Sequence, residues 1–163
     1  MKLKCALVLL VLSLSACDFQ LRGSQSNIVS NVSNLHIRGT GNISDEVKIQ
    51  LLLAGTNIKN SSNSADYVLS LTNESFDRSI LTVSPNFGKI EEYRLVLNVD
   101  MSVSSSSGAN LVTNEKITVS RDYAFDRNTI LANSSEEKVL QEDLAKRAAD
   151  QIIRRLNASI KSR

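Results

Sequence analysis

The sequence predicts a two-layer α+β sandwich: a four-stranded, mostly antiparallel sheet with two helices on one face, in the order β-α-β-β-β-α. Three observations predict it. From Tyr93 onward apolar residues hold every odd position (Tyr93, Leu95, Leu97, Val99, Met101, Val103). Even positions carry Glu92, Arg94, Asn98, Asp100 and Ser102, with Val96 the one exception. That period of two belongs to a strand with one buried and one wet face. Further on, Leu140, Leu144, Ala148, Ile152, Leu156 and Ile160 recur four apart, with Ala145, Ala149 and Ile153 widening the stripe of a long helix. Val47, Leu51 and Ala54, with Leu52 beside them, repeat helical spacing in a shorter stretch. Two amphipathic helices and a one-sided sheet close into two layers.

The chain opens on a different kind of segment. Lys2 and Lys4 form a basic start, and Ala6 to Leu14 form an apolar run far short of the roughly 20 residues that span a bilayer. Leu14-Ser15-Ala16-Cys17 then looks like a bacterial lipobox, at which a lipoprotein signal peptidase cuts before a cysteine already carrying diacylglycerol. Residues 1–16 are therefore read as a removed lipoprotein signal peptide, with Cys17 as the lipidated first residue of the mature chain. No cofactor is expected beyond the covalent diacylglycerol and N-acyl chain on Cys17.

This assignment changes the charge balance. The full chain carries 19 Lys and Arg against 17 Asp and Glu. Losing Lys2 and Lys4 leaves the mature protein near neutral, so no net field remains to attract a polyanion, and nucleic acid is excluded as a partner. Of the two cysteines, Cys5 lies in the leader and Cys17 becomes the thioether anchor, so no disulfide is available. With no Trp and aromatics at 4%, the core of the single domain must be aliphatic.

Residues 17–33 read as a lipidated tether, rich in Ser, Asn, Gln and Val and without a sustained period, with Phe19 and Leu21 as membrane contacts. The domain spans 34–163. Asn34 to Gly39 alternates as a first strand with Leu35 and Ile37 inward, which puts His36, the only histidine, on the more exposed face. Gly39 and Gly41 mark a turn. Ser44 is predicted as the N-cap of a helix of about three turns with Asp45 and Glu46 at its acidic start, and Gly55 as its end. Residues 57–64 read as a polar loop. Asp66 to Thr72 is the second strand, with Tyr67, Leu69 and Leu71 on one face and a continuation through Phe76 toward Ile80.

Thr82 to Lys89, holding the only proline (Pro85), reads as a connection into the strong strand from Tyr93. After the Ser- and Gly-rich turn at 104–110, a fourth strand runs from Leu111 to about Phe125 through Thr113, Ile117, Val119 and Tyr123. Glu115 and Arg121 share that parity, which predicts a bulge or a polar end. Ser134 and Glu137 fit a capping box for the last helix. Arg154, Arg155 and Lys161 fall at its C-terminal end, where the dipole favours cations.

Chemistry is sparse. A lone histidine and no free thiol exclude most nucleophile–base constellations, and there is no Cys/His cluster for a metal and no glycine-rich phosphate loop. Glu91 and Glu92 are adjacent strand residues and point to opposite faces. Asp122 and Asp126, at a strand end, are no better as a pair. The sequence reads as a binding or structural protein and not an enzyme.

Several segments resemble one family. Cys17-Asp18-Phe19-Gln20-Leu21-Arg22 resembles the mature start of the LPS-assembly lipoprotein (LptE) family, and so does Gly88-Lys89-Ile90-Glu91-Glu92-Tyr93-Arg94-Leu95. The most specific match is Ser120-Arg121-Asp122-Tyr123-Ala124-Phe125-Asp126, then Ile130-Leu131-Ala132, running into a helix with Arg147-Ala148-Ala149-Asp150-Gln151-Ile152-Ile153-Arg154-Arg155-Leu156.

The resemblance implies an outer-membrane lipoprotein, lipid-anchored on the periplasmic side, that plugs and helps assemble the LptD β-barrel and assists lipopolysaccharide insertion at the cell surface. Relatives often carry basic residues just before the loop glycine and after the Leu-Ala that precedes the last helix. Here Asn86 and Asn133 lie near those positions, so Lys89 and Arg127 are the substitutes expected to contact lipopolysaccharide. Asp18 is an inner-membrane retention signal in enteric bacteria, while the family implies the outer membrane. The alternative is a free-standing lipid- or substrate-binding envelope lipoprotein serving a transporter, which predicts an enclosed apolar cavity.

Overall fold

The computed structural model describes residues 32–125 and 130–162, with the side chains of 130–134 set aside. Within these limits the chain runs β1 (Asn34–Arg38), α1 (Asn42–Leu53), β2 (Asn57–Ile58), a 3-10 turn (Ser62–Ser64), β3 (Tyr67–Val83), β4 (Ile90–Ser105), β5 (Asn110–Ala124) and α2 (Ile130–Lys161). The strands form one five-stranded sheet in the order β2-β1-β3-β4-β5. β1 is parallel to both its neighbours, and β3, β4 and β5 form an antiparallel meander. The two-layer α+β class is as predicted. The sheet gains a strand because residues 57–58, read as loop, pair with Asn34 and Leu35. A two-residue strand is too short to show a period.

The alternation in β4 decides the core. Leu95, Leu97, Val99, Met101 and Val103 are all buried, facing both helices. β1 adds Leu35 and Ile37, β3 adds Leu69 and Leu71, and β5 adds Ile117 and Tyr123. From above, α1 contributes Ile43, Val47 and Leu51, and α2 contributes Leu144, Ala148, Ala149, Ile152, Ile153 and Leu156. Leu140 and Ile160, at the ends of the predicted stripe, are half-buried against the same cluster.

Of the register shifts on either side of β4, two fall on asparagines with positive φ. In β3, Thr72 pairs with Asp100 and Ser75 with Asn98, so one extra residue is accommodated where Asn73 takes φ +55°. Asparagine tolerates that left-handed conformation better than most residues. The bulge switches the inward parity from odd (Tyr67, Leu69, Leu71) to even (Phe76, Arg78, Ile80), the residues opposite Leu97, Leu95 and Tyr93. In β5, Met101 pairs with Glu115 but Val103 with Val112, and Asn114 takes φ +46°. This is the bulge predicted at Glu115. It puts Val112, not Thr113, opposite Val103. Glu115 then meets Arg155 of α2 at 3.2 Å.

Helix starts differ from the sequence expectation. Ser44 is not the N-cap of α1: the cap is Gly41, and Ser44 lies one turn in, buried, its hydroxyl without a hydrogen-bond partner. The cap comes from another element, because Glu74 Oε2 accepts the Ile43 amide at 3.3 Å. Glu74 is the residue that the β3 bulge re-aims. The other end is as predicted: Gly55, φ +85°, follows the C-cap Ala54, and the Gly55 and Thr56 amides donate to the Leu52 and Leu51 carbonyls at 3.0 and 2.9 Å. That paired closure is the Schellman motif. Ser134 does not begin the last helix either, since α2 already includes Ile130. Glu137 is thereby freed from a capping role.

Candidate functional site

The helices cover one face of the sheet and leave the other to solvent. On that open face, Arg94 donates from Nε and Nη2 to the two carboxylate oxygens of Asp122 at 2.7 and 2.9 Å. Asn98 donates to Asp77 at 3.1 Å and accepts from Thr118 at 2.9 Å. Ser75 donates to Asp77 at 3.2 Å, Asn73 to Asp100 at 2.8 Å, and Thr82 to Glu92. The bonds cross all three strands of the meander. The two-pronged contact from Arg94 holds the Asp122 carboxyl below the usual carboxylate range and, reciprocally, raises the guanidinium.

At one end, the β3–β4 turn forms a tip. Its closure uses Ser84 N–H to Lys89 O at 2.7 Å and Gly88 N–H to Ser84 O at 3.0 Å. Ile80, Leu81, Val83 and Phe87 are exposed there. Lys89 Nζ sits 5.5 Å from the centre of the Phe87 ring, so a cation and an apolar surface share the turn. Of the two predicted lipopolysaccharide contacts, Lys89 is thus placed at the tip. Arg127, like Cys17, Asp18, Phe19, Leu21 and Asp126, lies outside the described residues, so Lys89 and Arg127 are not brought together here.

Behind the tip lies a cluster that sequence reasoning missed. Glu137 Oε2 accepts from Arg78 Nη1 at 3.0 Å and from the Tyr123 hydroxyl at 3.1 Å. The Arg78 guanidinium lies 4.8 Å over the Tyr93 ring, whose other neighbours are Tyr123 at 5.9 Å and Phe125, edge-on, at 5.1 Å. Burial, foremost, pushes the Tyr123 hydroxyl above its usual range. The hydrogen bond with Tyr123 and the charge of Glu137 keep Arg78 protonated. The shared inward parity of Tyr93 and Tyr123 was the only sequence signal for it. Arg78 and Glu137 are distant in sequence and carry none.

Other candidates resolve simply. His36 is half-buried and its Nδ1 lies 2.9 Å from the Lys59 carbonyl. Arg155 is paired with Glu115, and Arg154 is exposed, so the two arginines make no common patch. No group of His, Cys, Asp and Glu suited to a metal occurs among the described residues, and no helix among them is long and apolar enough to cross a membrane.

This fold and these surfaces define a small α+β domain with a polar sheet face hydrogen-bonded to itself and an exposed apolar tip that carries Lys89. The comparisons sharpen that class. The chain belongs to the lipopolysaccharide-assembly LptE family, whose model matches residues 19–156. It is similar to the rare lipoprotein B structure from Shewanella oneidensis, at 28% identity and TM-score 0.68, covering 77% of this chain and 95% of that one. It is also similar to a minor lipoprotein from Acinetobacter baumannii, at 25% identity and TM-score 0.63, covering 78% and 92%. An uncharacterized lipoprotein B from Nitrosomonas europaea shares the fold at 24% identity and TM-score 0.69, covering 83% and 88%. No curated protein matches the chain. The family assigns the protein a role in lipopolysaccharide assembly as an envelope lipoprotein, associated with the lipopolysaccharide transport machinery.

Proposed function

We propose that this protein is an outer-membrane lipoprotein, anchored by acyl chains on Cys17, that plugs an LptD-like β-barrel, helps it assemble and presents lipopolysaccharide to it. The observation that carries this reading is the open face of the meander. Many of its polar groups already have partners in place, from Arg94–Asp122 to Asn98–Asp77, which lowers the cost of enclosing that face in a water-lined lumen. Binding through many such polar contacts needs no deep pocket. At the tip, Lys89 supplies a cation for a phosphate, and Phe87, Leu81 and Val83 supply apolar surface for acyl chains; Arg127 is the second cation of the same proposal.

The rival, a free-standing lipid carrier, needs an enclosed apolar cavity. Two grooves among the described residues are of another kind. One, of about 570 Å³, is open and lined by Arg38, Thr40, Thr72, Asn73 and Glu74 among others. Another, of about 380 Å³, lies open between the helices beside Lys138, Glu142 and Lys146.

The test is a pull-down of chromosomally tagged protein from mild-detergent envelope extracts, with mass spectrometry of what co-purifies. A large β-barrel recovered in near-equal amount is the expected result. Recovery alone, or with inner-membrane transporter subunits, overturns the plug reading in favour of the carrier. Density-gradient fractionation settles the sorting signal at Asp18: the expected peak is in the outer membrane.

A further inference from the structure

We propose that the C-terminal end of α1 seats the protein on the bilayer, through a stripe formed by Ile49, Leu52 and Leu53. The inference rests on the reading of Cys17 as lipidated. These three residues are 52%, 57% and 84% exposed. They follow the i, i+3, i+4 spacing of a single helix face, and it is not the face that Ile43, Val47 and Leu51 bury in the core. α1 is thus apolar on two sides near its end, and the second side is exposed among the described residues.

The occupant follows from where the chain enters. The Ser33 carbonyl accepts the Asn57 amide at 3.2 Å, so the described chain begins beside the segment that leaves α1. Only 14 residues lie between Cys17 and Val32, which makes 15 Cα–Cα steps. At full extension these reach about 50 Å, and less in any relaxed state. The acyl chains on Cys17 therefore hold this end of the molecule near the membrane.

The second exposed apolar surface, at the β3–β4 turn, is at the opposite end. β1 and β3 run parallel from the level of Leu35 and Tyr67, and β3 continues to Val83, about 50 Å away at roughly 3.3 Å per residue. Both surfaces cannot lie in the anchoring leaflet while the domain stands upright. The stripe beside the tether is the one within easy reach.

Apolar residues on one face of a helix bury into the headgroup–acyl boundary, and a neighbouring cation supports the contact with anionic lipid. Here Lys138 and Lys146 line the groove beside Ile49 together with Asp45, Glu46 and Glu142, so the contact rests on the apolar stripe and not on charge. Several acyl chains on Cys17 already provide affinity. The stripe instead fixes orientation, holding the long axis of the meander away from the anchoring leaflet.

The absence of Trp from the sequence makes the test clean. Leu53→Trp and, separately, Phe87→Trp are introduced into the full lipidated chain, reconstituted in phosphatidylethanolamine–phosphatidylglycerol vesicles with and without brominated acyl chains. Circular dichroism confirms that each variant is folded, and intact mass confirms the acylation. The expected result is blue-shifted emission from Leu53→Trp, quenched by bromine several-fold more than Phe87→Trp. An acylated protein whose Leu53→Trp emits as in water, or is quenched no more than Phe87→Trp, overturns this inference alone. A mature chain whose mass shows no acyl groups overturns the anchoring reading and this inference with it. Blue-shifted but unquenched emission in preparations carrying a co-purified barrel assigns the stripe to protein contact and also overturns it.

Discussion

The Tyr123 hydroxyl and Arg78 Nη1 converge on the same oxygen of Glu137, at 3.1 and 3.0 Å, and so join the distal ends of β3 and β5 to the early turns of α2. Tyr123 is buried and Arg78 is about half exposed, so the two contacts differ in worth. Tyr123→Phe removes the phenolic donor and costs about 1 kcal/mol. A double-mutant cycle between Arg78→Ala and Glu137→Ala returns less than about 1 kcal/mol, because solvent screens that pair. Urea unfolding of the four variants measures both, and a larger coupling for the arginine than for the tyrosine would sink the ranking.

Gly39 is expected to be the least replaceable glycine. At φ +152° it lies where a Cβ would stand 2.6 Å from Ser44 Oγ and 2.7 Å from the Leu71 carbonyl oxygen. Gly39→Ala combines backbone strain with overpacking and costs about 2–4 kcal/mol. Gly55→Ala meets nothing within 4 Å and pays only for its left-handed backbone, about 1 kcal/mol. Thermal denaturation of the two variants side by side decides the order.

Glu74 caps α1 from outside the helix, accepting from the Ile43 amide. Glu74→Ala is expected to destabilise the domain by about 1 kcal/mol, with Glu74→Gln recovering part of that. Amide hydrogen exchange should show the loss concentrated in the first turn of α1. Uniform acceleration across the sheet would argue against a local capping role.

Acid should weaken the open face in a defined window. Arg94 lowers the folded-state pKa of Asp122 below its ordinary 3.8. The linked stability is therefore fully present above that value and is lost as pH falls through the folded pKa. Both groups are at the surface, so the effect is small. Asp122→Asn should remove this small contribution at pH 7, where the slope of the profile is unchanged, and flatten the profile below about pH 4, so that the two proteins converge in acid. An equal slope in both proteins from pH 4 downward would show that other carboxylates carry the acid response.

Charge reversal at the tip tests the lipopolysaccharide proposal. Lys89→Glu together with Arg127→Glu should weaken lipopolysaccharide binding at least about tenfold, as expected when two charge-assisted phosphate contacts become repulsive. The readout is lipopolysaccharide retained on immobilised protein, with unfolding midpoints confirming intact fold. Unchanged retention rules these residues out as contacts.

The sequence revealed the fold where one face dominates. Strict alternation from Tyr93 to Val103 and the four-residue recurrence from Leu140 to Ile160 were legible because burial is continuous along β4 and α2. β3 was harder. The bulge at Asn73 reverses its parity, so Leu71 and Phe76 look out of phase although both face the helices. The helix caps misled for a related reason: Ser44 and Ser134 have the right local chemistry, but Glu74 arrives from a distant strand and α2 starts earlier. Of the candidate site, the turn that carries Lys89 was legible from Pro85, Asn86 and Gly88, and the wet face of β4 from its pattern. The Arg78–Glu137–Tyr123 junction was not, because long-range side-chain convergence leaves no period to read.

The placement of β1 sets the order in which the chain can fold. β3, β4 and β5 are joined by turns of a few residues and can zip together from two hairpins. β1, by contrast, pairs with β3 across about thirty residues, and with β2 only after α1 has formed the crossover between them. Loop closure of that length is slow compared with hairpin formation. The strand next to the tether, with β2 on its outer edge, therefore joins the meander late, although it is made first. A chain held at Cys17 would keep its earliest segment waiting at the membrane until the meander, synthesised later, provides an edge for it to join.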